Sequence, residues 1–582
     1  PFLYVCPMKI HALLACFMLF FGLNSLAQGL VIDTILPNTS FVSTVDSIEE
    51  FTQSSRSVFP ALGLQGGVFI DPFTAYQPMG QLLHPWALSE HPIRFTALPL
   101  LGFAYAFGTQ GSQHMKFSYA QAFNHGLLLN VNYQGHGSNG YLRNNAWKQR
   151  NYRFDLAKIS KRYQTKLSLE GLVDNRQYAG GLQVDSLAVS FPLSLLPVRK
   201  DSCSANWRIQ RISWNQSLNF LSDSIRFFGL QLQNSISSKR KVYAEEDTLA
   251  GIYQHIYFDS SATLDRYELV TTRNQVGIGF SKQKFSISAS ALAEYWRMRM
   301  VGNQHDTLEL GLVGSISYRV NRWKAHAQVE QNFIGGFGAS RVSLGVEGNV
   351  YNQHLFRINV LAGTIAPEVI QRFYYGNTLQ YQLGSPTLQR IVQLNARFNG
   401  SMLGFDYEFQ VRGLLTHSVY QFNGSVWDPS TENSSKRILE GSLCLSKTIR
   451  GFSISPSVRY LALKNAIFPT LITGASIGYN GYITKTKNLF LFSKITYQYY
   501  NRYVPLSIDP QLFHVQLVPL NSTGFSYHNL SATVGFKVKT FRFFVSGSNL
   551  GSFWMNQSQP LYDHYPIPSW QLNVGLIWEF WN

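Results

Sequence analysis

Basic side chains recur at alternate, polar positions of many short segments in this sequence. In an extended strand, residues two positions apart point to the same face, so these cations are expected to line a common wall. Rings of arginine and lysine attract anions when they line a water-filled pore. The candidates for such a lumen wall are Arg153, Lys166, Arg319, Lys324, Arg341, Lys537 and Arg542.

Acidic residues share these polar positions, which leaves a second interpretation open. They are Asp155, Glu170, Glu309, Glu330 and Glu347. The charges can pair across neighbouring strands, or the cations can contact anionic lipid head groups, and either arrangement weakens an anion preference. The formal net charge of +17 is also typical of nucleic-acid binding. The aromatic residues follow the alternation expected for lipid contact, however, and we expect no nucleic-acid partner.

No group of residues predicts catalysis, and we expect neither enzymatic activity nor a cofactor. The 14 histidines show no paired spacing on one strand face that would bind a metal ion. Asp563 and His564 are neighbours in the last long loop and suggest a hydrolase site on a barrel rim as a distant alternative. Adjacent polar residues in a loop are more often simply solvated.

The first 27 residues have the pattern of a cleavable export signal. Lys9 follows Met8, an apolar stretch without charges runs over 12–23, and Ser25-Leu26-Ala27 offers small residues to a signal peptidase. We predict cleavage after Ala27, with Met8 as the initiator. The alternative is lipoprotein cleavage before Cys16. Beyond the leader, Cys203 and Cys444 remain, and their spacing leaves open whether they pair.

Residues 28–95 are rich in Pro, Ser, Thr and Gly and show little periodicity, which predicts irregular structure. This segment is too short for the large plug domain of a TonB-dependent receptor. We expect a periplasmic arm or a small plug.

From residue 96 to the end, apolar and polar residues alternate in one segment after another. The segments 308–320 and 530–538 each have one apolar and one polar face. The chain is 45% hydrophobic and only 14% charged, yet beyond residue 27 it lacks the run of about 20 apolar residues that a membrane-spanning helix needs. We therefore predict an all-β fold, a large up-and-down antiparallel transmembrane β-barrel preceded by a short non-barrel segment.

The connections between segments support this topology. Segments 152–159 and 163–173 are separated only by Ser160-Lys161-Arg162, which predicts a hairpin. Longer connections are predicted at 135–148, 177–205, 244–263, 365–385 and 427–436. Short turns alternating with long loops are typical of outer-membrane barrels, and the segments predict about 20–24 strands.

The last segment decides between this barrel and a soluble β-sandwich, propeller or solenoid. Six apolar residues occupy one face of 570–582, and aromatic residues stand at its last positions. A terminal amphipathic strand of this kind fits the closing strand of a barrel and its aromatic belt. The belt candidates are Trp570, Trp578, Phe580 and Trp581.

The chain resembles the putative porin family of Bacteroidetes outer membranes through most of its length. The early part of the resemblance lies in Pro99, Tyr105, Gly108, Gln113 and the run Gly140-Tyr141-Leu142-Arg143-Asn144. The late part lies in Tyr499-Tyr500, Asp509-Pro510, Phe513, Gln516, Tyr565-Pro566 and the terminal Trp578-Glu579-Phe580-Trp581-Asn582. Two segments depart from the family: 62–66 lacks an expected asparagine and 377–387 an expected tryptophan.

The resemblance implies passage of solutes without naming one. We expect an outer-membrane channel for passive or weakly selective diffusion of small solutes, with a preference for anions. The alternative is a non-conducting barrel that serves as a structural or interaction partner in an export or surface-assembly complex. The expected partners are outer-membrane lipid, small solutes and, during biogenesis, the barrel-assembly machinery and periplasmic chaperones; the oligomeric state is left open.

Overall fold

The computed structural model describes most of the chain from residue 93 onward and a few residues before it. The described residues are 32–34, 48, 73, 93–96, 98–185, 191–221, 226–246, 253, 255–335, 338–350, 354–384, 386–422, 426–429, 435–463, 468–512, 514–516, 524–553, 560–562 and 564–581. The leader and most of 28–95, on which several predictions fall, lie outside this part.

Twenty-two antiparallel strands form a closed barrel, which confirms the predicted fold and strand count. The strands are β1 (Leu100–Gly108), β2 (Gln113–Phe123), β3 (Leu127–Ser138), β4 (Trp147–Ile159), β5 (Tyr163–Gln177), β6 (Cys203–Asn219), β7 (Arg226–Glu245), β8 (Thr263–Lys282), β9 (Phe285–Met300), β10 (Asn303–Val320), β11 (Trp323–Ile334), β12 (Ser340–Val350), β13 (His354–Ile365), β14 (Gln389–Met402), β15 (Phe405–His417), β16 (Ser435–Ile449), β17 (Phe452–Ala462), β18 (Leu471–Tyr482), β19 (Phe490–Tyr503), β20 (Phe525–Val538), β21 (Phe541–Ser548) and β22 (Gln571–Trp581).

The last strand closes the barrel. β22 pairs with β21 on one side and with β1 on the other, in a register that runs from Leu100↔Trp581 to Gly108↔Asn573. Closure satisfies the backbone hydrogen bonds of both edge strands, which is the condition for a sheet to span a membrane. No helix in the described part of the chain is long and apolar enough to cross a membrane.

The two ends of the barrel differ in their connections. At one end, which we call the turn end, strands are joined by tight turns such as Leu403-Gly404 and Arg450-Gly451, where both residues have positive φ. Positive φ at both positions is the signature of the type I′ hairpin turn. At the other, the loop end, connections such as 178–202 and 366–388 are long.

One predicted connection is shorter than expected. Residues 135–148 were predicted to be a loop, but β3 continues to Ser138 and β4 begins at Trp147. Gly135 pairs with Arg150, so the hydrogen-bonded ladder continues toward the loop end despite the glycines. The composition predicted a loop because glycine weakens strand propensity, and the cross-strand pairing overrides it.

Successive side chains in each strand alternate between the outer surface and the lumen. Leu312 and Ile316 on β10 are exposed, whereas the intervening Ser315 belongs to the lumen face. The apolar face of each strand is thus directed outward to lipid and the polar face inward, as the sequence predicted.

This orientation predicts different outcomes for adjacent charge substitutions on β10. Leu312→Arg places a cation on the lipid face and should cost about 2–4 kcal/mol of unfolding free energy if Leu312 lies near the bilayer midplane. Val313→Arg, on the lumen face, should cost much less because water can reach the guanidinium. Urea unfolding of both variants in lipid vesicles measures the difference. Equal destabilisation would contradict the assignment of the two faces.

Candidate functional site

All seven basic residues predicted for the lumen lie in barrel strands and alternate with outward-facing apolar residues. Arg319, for example, lies between Tyr318 and Val320, whose side chains are exposed on the outer surface. Arg542 is buried between Phe541 and Phe543, which are both exposed. Their alternation therefore directs the basic groups inward. That they select anions stays a prediction.

Carboxylates neutralise part of this positive charge on the wall formed by β4 to β6. Arg153 contacts Asp155 at 2.7 Å and Glu170 at 3.1 Å, and Lys166 lies 3.9 Å from Asp155. Glu170 also binds Arg211 at 2.6 Å. The charges on this wall form a continuous, largely buried ion-pair chain, which is the cross-strand pairing considered as the alternative to an anion-attracting ring.

Two further groups of ion pairs, around Arg273 and Glu347, are more open to solvent. Arg273 bridges Glu294 at 3.1 Å and Glu330 at 3.4 Å. Between β11 and β13, Glu347 contacts Lys324 at 3.6 Å and Arg357 at 3.1 Å. Within the described residues, Arg319, Arg341 and Lys537 have no ion pair, so the seven candidates divide into paired and unpaired cations.

Some charged side chains of the lumen wall are open to solvent within the described residues. Arg397 on β14 and Glu408 on β15 form an ion pair at 2.6 Å on the inner face, yet their side chains are 47% and 41% exposed. Small hydroxyl groups line other parts of the wall, where Ser286–Ser317 and Ser288–Ser315 are hydrogen-bonded across β9 and β10. Small side chains on the inner face leave room for water.

At the loop end, buried apolar residues form a cluster that reaches across the barrel. One cluster of buried side chains joins inward-facing residues of β6 to β9 with those of β14 to β20, which lie on the opposite wall, and the loops contribute Tyr178, Tyr374, Trp427, Leu512 and Ile567. We call this cluster the loop cap. Because it links opposite walls, this cluster lies across the loop end of the lumen.

Gln511 ties the loop cap to the barrel wall. Its backbone carbonyl accepts a hydrogen bond from Lys241 on β7, and its amide nitrogen donates to Asp265 on β8 at 2.7 Å. Its amide oxygen accepts from the Thr378 hydroxyl at 3.0 Å. The side chains of Lys241, Asp265 and Gln511 are all buried. A residue that follows β19 in sequence is thus fixed to strands on the far side of the lumen.

Asp265 also anchors the loop 366–388. Its carboxylate accepts from the Tyr374 hydroxyl at 3.0 Å and from the Asn377 backbone N–H at 2.8 Å. Burial, together with the Asp265 carboxylate, raises the pKa of Tyr374 well above its usual value, so this hydroxyl remains a donor. One carboxylate therefore holds two loops.

Asn377 fixes the neighbouring loop in the same way. Its amide oxygen accepts from the backbone N–H groups of Phe258 and Asp259 at 2.8 and 2.9 Å, and its amide nitrogen donates to the Ala262 carbonyl at 3.0 Å. The sequence singled out 377–387 only for its missing tryptophan and Asp509-Pro510 only for family resemblance. The sequence analysis did not predict the contacts of Asp265, Asn377 and Gln511, and these two motifs were the only features of the sequence that pointed to their loops.

Two described residues of the predicted arm or plug lie inside the barrel. Ile48 is buried against a cluster that includes Phe492, Phe544 and Ile577. Phe73 is buried in the loop cap, with its ring 4.2 Å from the Arg412 guanidinium.

Several cavities open along the lumen in the part of the chain that the structure describes, and two of them are lined by charged side chains from several strands. The first, of ≈ 450 Å³, lies beneath the short helix Val369–Arg372 and is lined by both signs of charge, including Lys239, Arg341, Glu309 and Glu368. The second, of ≈ 810 Å³, lies toward the turn end and is lined mainly by hydroxyl groups and glycine, with Lys494, Lys537 and Arg542.

Histidine and cysteine residues form no metal cluster among the described residues. The fold does bring His114 on β2 and His136 on β3 together, with their Nδ1 atoms 2.9 Å apart. Their spacing in the sequence did not predict this contact, because it depends on the register between the two strands. Cys203 and Cys444 form no disulfide with each other. Asp563 lies outside the described residues, and His564 contacts Asp185 at 3.0 Å.

Ser476 belongs to a Gly-Ala-Ser-Ile-Gly run that matches the formula of the hydrolase nucleophile elbow. In the structure it lies within β18 and lines the lumen, whereas a nucleophile elbow requires a sharp turn from strand to helix. The run therefore does not build that elbow here.

Two of the predicted belt residues lie on the outer surface. Trp570, just before β22, and Trp578 are exposed on the outer surface. The rings of Trp578 and Phe580 are 4.2 Å apart, and Phe541 packs against Trp578 edge to face at 6.2 Å. The Trp581 backbone pairs with Leu100, and its side chain lies outside the described part.

A family model described as "Putative porin" matches residues 74–582. The chain belongs to the putative porin family. The match covers the barrel and, apart from Ile48 and Phe73, the residues of the two cavities and the loop cap. It confirms the family expected from the sequence. No curated protein matches the sequence.

Solved structures with the same fold are outer-membrane barrels. The siderophore receptor PirA from Acinetobacter baumannii has a TM-score of 0.58 at 12% identity, over 83% of this chain and 80% of that chain. The copper transporter OprC has a TM-score of 0.58 at 10% identity, over 85% and 83%. The ferric-catecholate import receptor Fiu from K12 E. coli has a TM-score of 0.55 at 9% identity, over 85% and 84%. At these identities the likeness establishes the fold alone, and this porin-family chain is an outer-membrane β-barrel.

Proposed function

We propose that the protein is an outer-membrane channel for small solutes whose resting form is closed at the loop end. The observation that carries this proposal is the loop cap above a lumen whose charged side chains remain accessible to solvent. A solvent-accessible lumen favours passage of solutes over a purely structural barrel. The cap favours a gated channel over a permanently open one.

We further propose an ion preference for the channel and a role for residues 28–95. Lumen-facing basic residues outnumber acidic ones on the strands, which supports a preference for anions by field focusing. Large barrels of 22 strands commonly hold a plug, and the buried positions of Ile48 and Phe73 support a plug role for 28–95. We also propose export by the leader 1–27 and no enzymatic activity.

Planar-bilayer recording tests the proposal. We would compare the full mature chain, the chain without residues 28–92, a chain in which a short Gly-Ser linker replaces residues 369–384, and a chain with both changes. Brief, rare openings are expected for the mature chain and steady conductance for the form with both changes, because the cap and the plug are then removed.

Heat-modifiable migration on gels establishes that each form is a folded barrel. Absence of conductance from all four folded forms would overturn the channel and favour the non-conducting interaction partner. Steady, large conductance of the unaltered chain would retain the channel but contradict its closed resting form.

A further inference from the structure

A group of basic side chains lies on the outer face of β4 to β9 near the loop end. Alternation directs these side chains away from the lumen. Arg299, for example, is exposed between Met298 and Met300, which are both buried in the loop cap. We call the group the outer basic belt; its members are Lys148, Arg150, Arg208, Arg240, Arg266, Arg297 and Arg299.

Strand register brings several of these cations side by side. Arg208 on β6 and Arg240 on β7 are direct partners. Glu268 on β8 is the direct partner of both Arg240 and Arg299. Like charges at directly opposed positions destabilise a sheet, so the pairing of Arg208 with Arg240 is unfavourable unless further negative charge lies near them.

The barrel supplies little negative charge on this surface. The outer faces of β4 to β10, all of which the structure describes, carry two carboxylates, Glu268 and Asp306. Asp306 accepts a hydrogen bond from the Tyr295 hydroxyl at 3.1 Å, and Arg297 donates to the same hydroxyl at 2.9 Å. Within the described residues, none of the seven cations forms an ion pair. The outer basic belt therefore has an excess of positive charge.

The outer basic belt lies at the level expected for lipid head groups. Twelve positions of extended chain separate Arg208 from Phe220, an exposed aromatic residue at the turn end. With a rise of about 3.4 Å per residue and a strand tilt of about 40°, they span about 30 Å, slightly more than the apolar band of such barrels. Long loops face the cell exterior in outer-membrane barrels, which places the belt at the outer leaflet.

Apolar side chains follow directly toward the turn end. Ile212 and Ile236 are direct partners, four positions from Arg208 and Arg240, and their side chains are 53% and 54% exposed. Trp214, two positions further along β6, is also exposed. Arginine binds phosphate with two parallel hydrogen bonds, which lysine cannot do. Arginines above an exposed aliphatic surface are therefore suited to a lipid that carries phosphate next to its acyl chains.

We propose that the outer basic belt binds the phosphate groups of a phosphorylated glycolipid of the outer leaflet, whose acyl chains pack against Ile212, Ile236 and Trp214. The proposal goes beyond the proposed function, because it concerns the outer surface and does not require the lumen to conduct.

Diphosphoryl lipid A is a suitable probe because it combines both chemical features. Native mass spectrometry of the full mature chain in zwitterionic detergent counts the lipid molecules that remain bound. Lipid A is expected to bind at least tenfold more tightly than the same lipid with its phosphates removed, and added salt should weaken its binding. Inorganic phosphate at the same concentration should not displace it, because inorganic phosphate has no acyl chains.

Matched variants locate the site. The pair Arg208→Gln with Arg240→Gln should weaken lipid A binding at least tenfold. Lys158 and Lys282 lie exposed on the outer face at the opposite, turn end of β4 and β8. The pair Lys158→Gln with Lys282→Gln removes the same charge and should leave binding within twofold. Heat-modifiable migration on gels establishes that both double variants are folded barrels.

Three outcomes would overturn the site: equal binding of the dephosphorylated lipid, displacement by inorganic phosphate, or equal losses in the two double variants. None of these measurements depends on an open channel. Lipid binding without conductance would retain the outer basic belt and overturn the channel, whereas conductance without lipid binding would do the reverse.

Discussion

Replacement of Asp265 by alanine is expected to raise the fraction of time that the channel is open at least tenfold. The carboxylate holds Gln511, Tyr374 and the Asn377 backbone at once, and it is buried. Hydrogen bonds to a charged group contribute about 1.5–3 kcal/mol each, and about 1.4 kcal/mol is a factor of ten, so the loss of even one of them shifts a two-state equilibrium at least tenfold. Single-channel recording measures the open fraction directly.

Two variants serve as controls for this result. Asp306→Ala removes a carboxylate from the same end of neighbouring strands, where it binds the Tyr295 hydroxyl at 3.1 Å on the exposed outer face. It should leave the open fraction unchanged. Gln511→Ala removes two of the side-chain contacts and should open the channel, though less than Asp265→Ala does. If a folded Asp265→Ala barrel remains as closed as the wild type, the loop cap is not held by this carboxylate.

Loss of Glu170 is expected to destabilise the barrel by about 3–5 kcal/mol, because it leaves two arginines inside the wall without their shared carboxylate. Glu170 contacts Arg153 at 3.1 Å and Arg211 at 2.6 Å, and its side chain is almost fully buried. Removal of one partner of a buried ion pair costs far more than the pair contributes on balance, since the remaining charge stays desolvated. Urea unfolding of Glu170→Ala in lipid vesicles gives the change in free energy.

Glu408 provides the matched comparison. It forms an equally short contact with Arg397, at 2.6 Å, but both side chains are largely open to solvent. Exposed pairs contribute about 0–1 kcal/mol, so Glu408→Ala should change the unfolding free energy by less than 1 kcal/mol. If the two alanine variants are equally stable, burial does not distinguish the two ion pairs.

The residues that hold the loop cap and those that stabilise the wall lie in different parts of the lumen. The chain of charges on β4 to β6 fixes that wall, whereas Asp265 and Gln511 fix the loops. The two sets of variants can therefore be measured independently, since distant sites without shared partners behave additively.

The sequence by itself determined the barrel and the faces of its strands. Alternation is a local property with a period of two, so a segment such as 308–320 predicts which residues meet lipid without knowledge of its neighbours. Turn chemistry is also local, and the predicted hairpin at Ser160-Lys161-Arg162 lies between β4 and β5. The apolar alternation of 570–582 likewise predicted the strand that closes the sheet against β1.

Only the tertiary structure decided which charges are neutralised and which loops lie across the lumen. Lys324 and Lys537 look alike in sequence, yet Glu347 neutralises the first and Arg542 lies opposite the second, because strand register sets the neighbours of each side chain. Lys241 and Gln511 meet although 270 positions separate them. Periodicity within one segment carries no information about contacts across a barrel, whose shear and loop paths fix them. The alternation thus predicted a wall with a polar inner face, and the folding of the loops across it determined the loop cap.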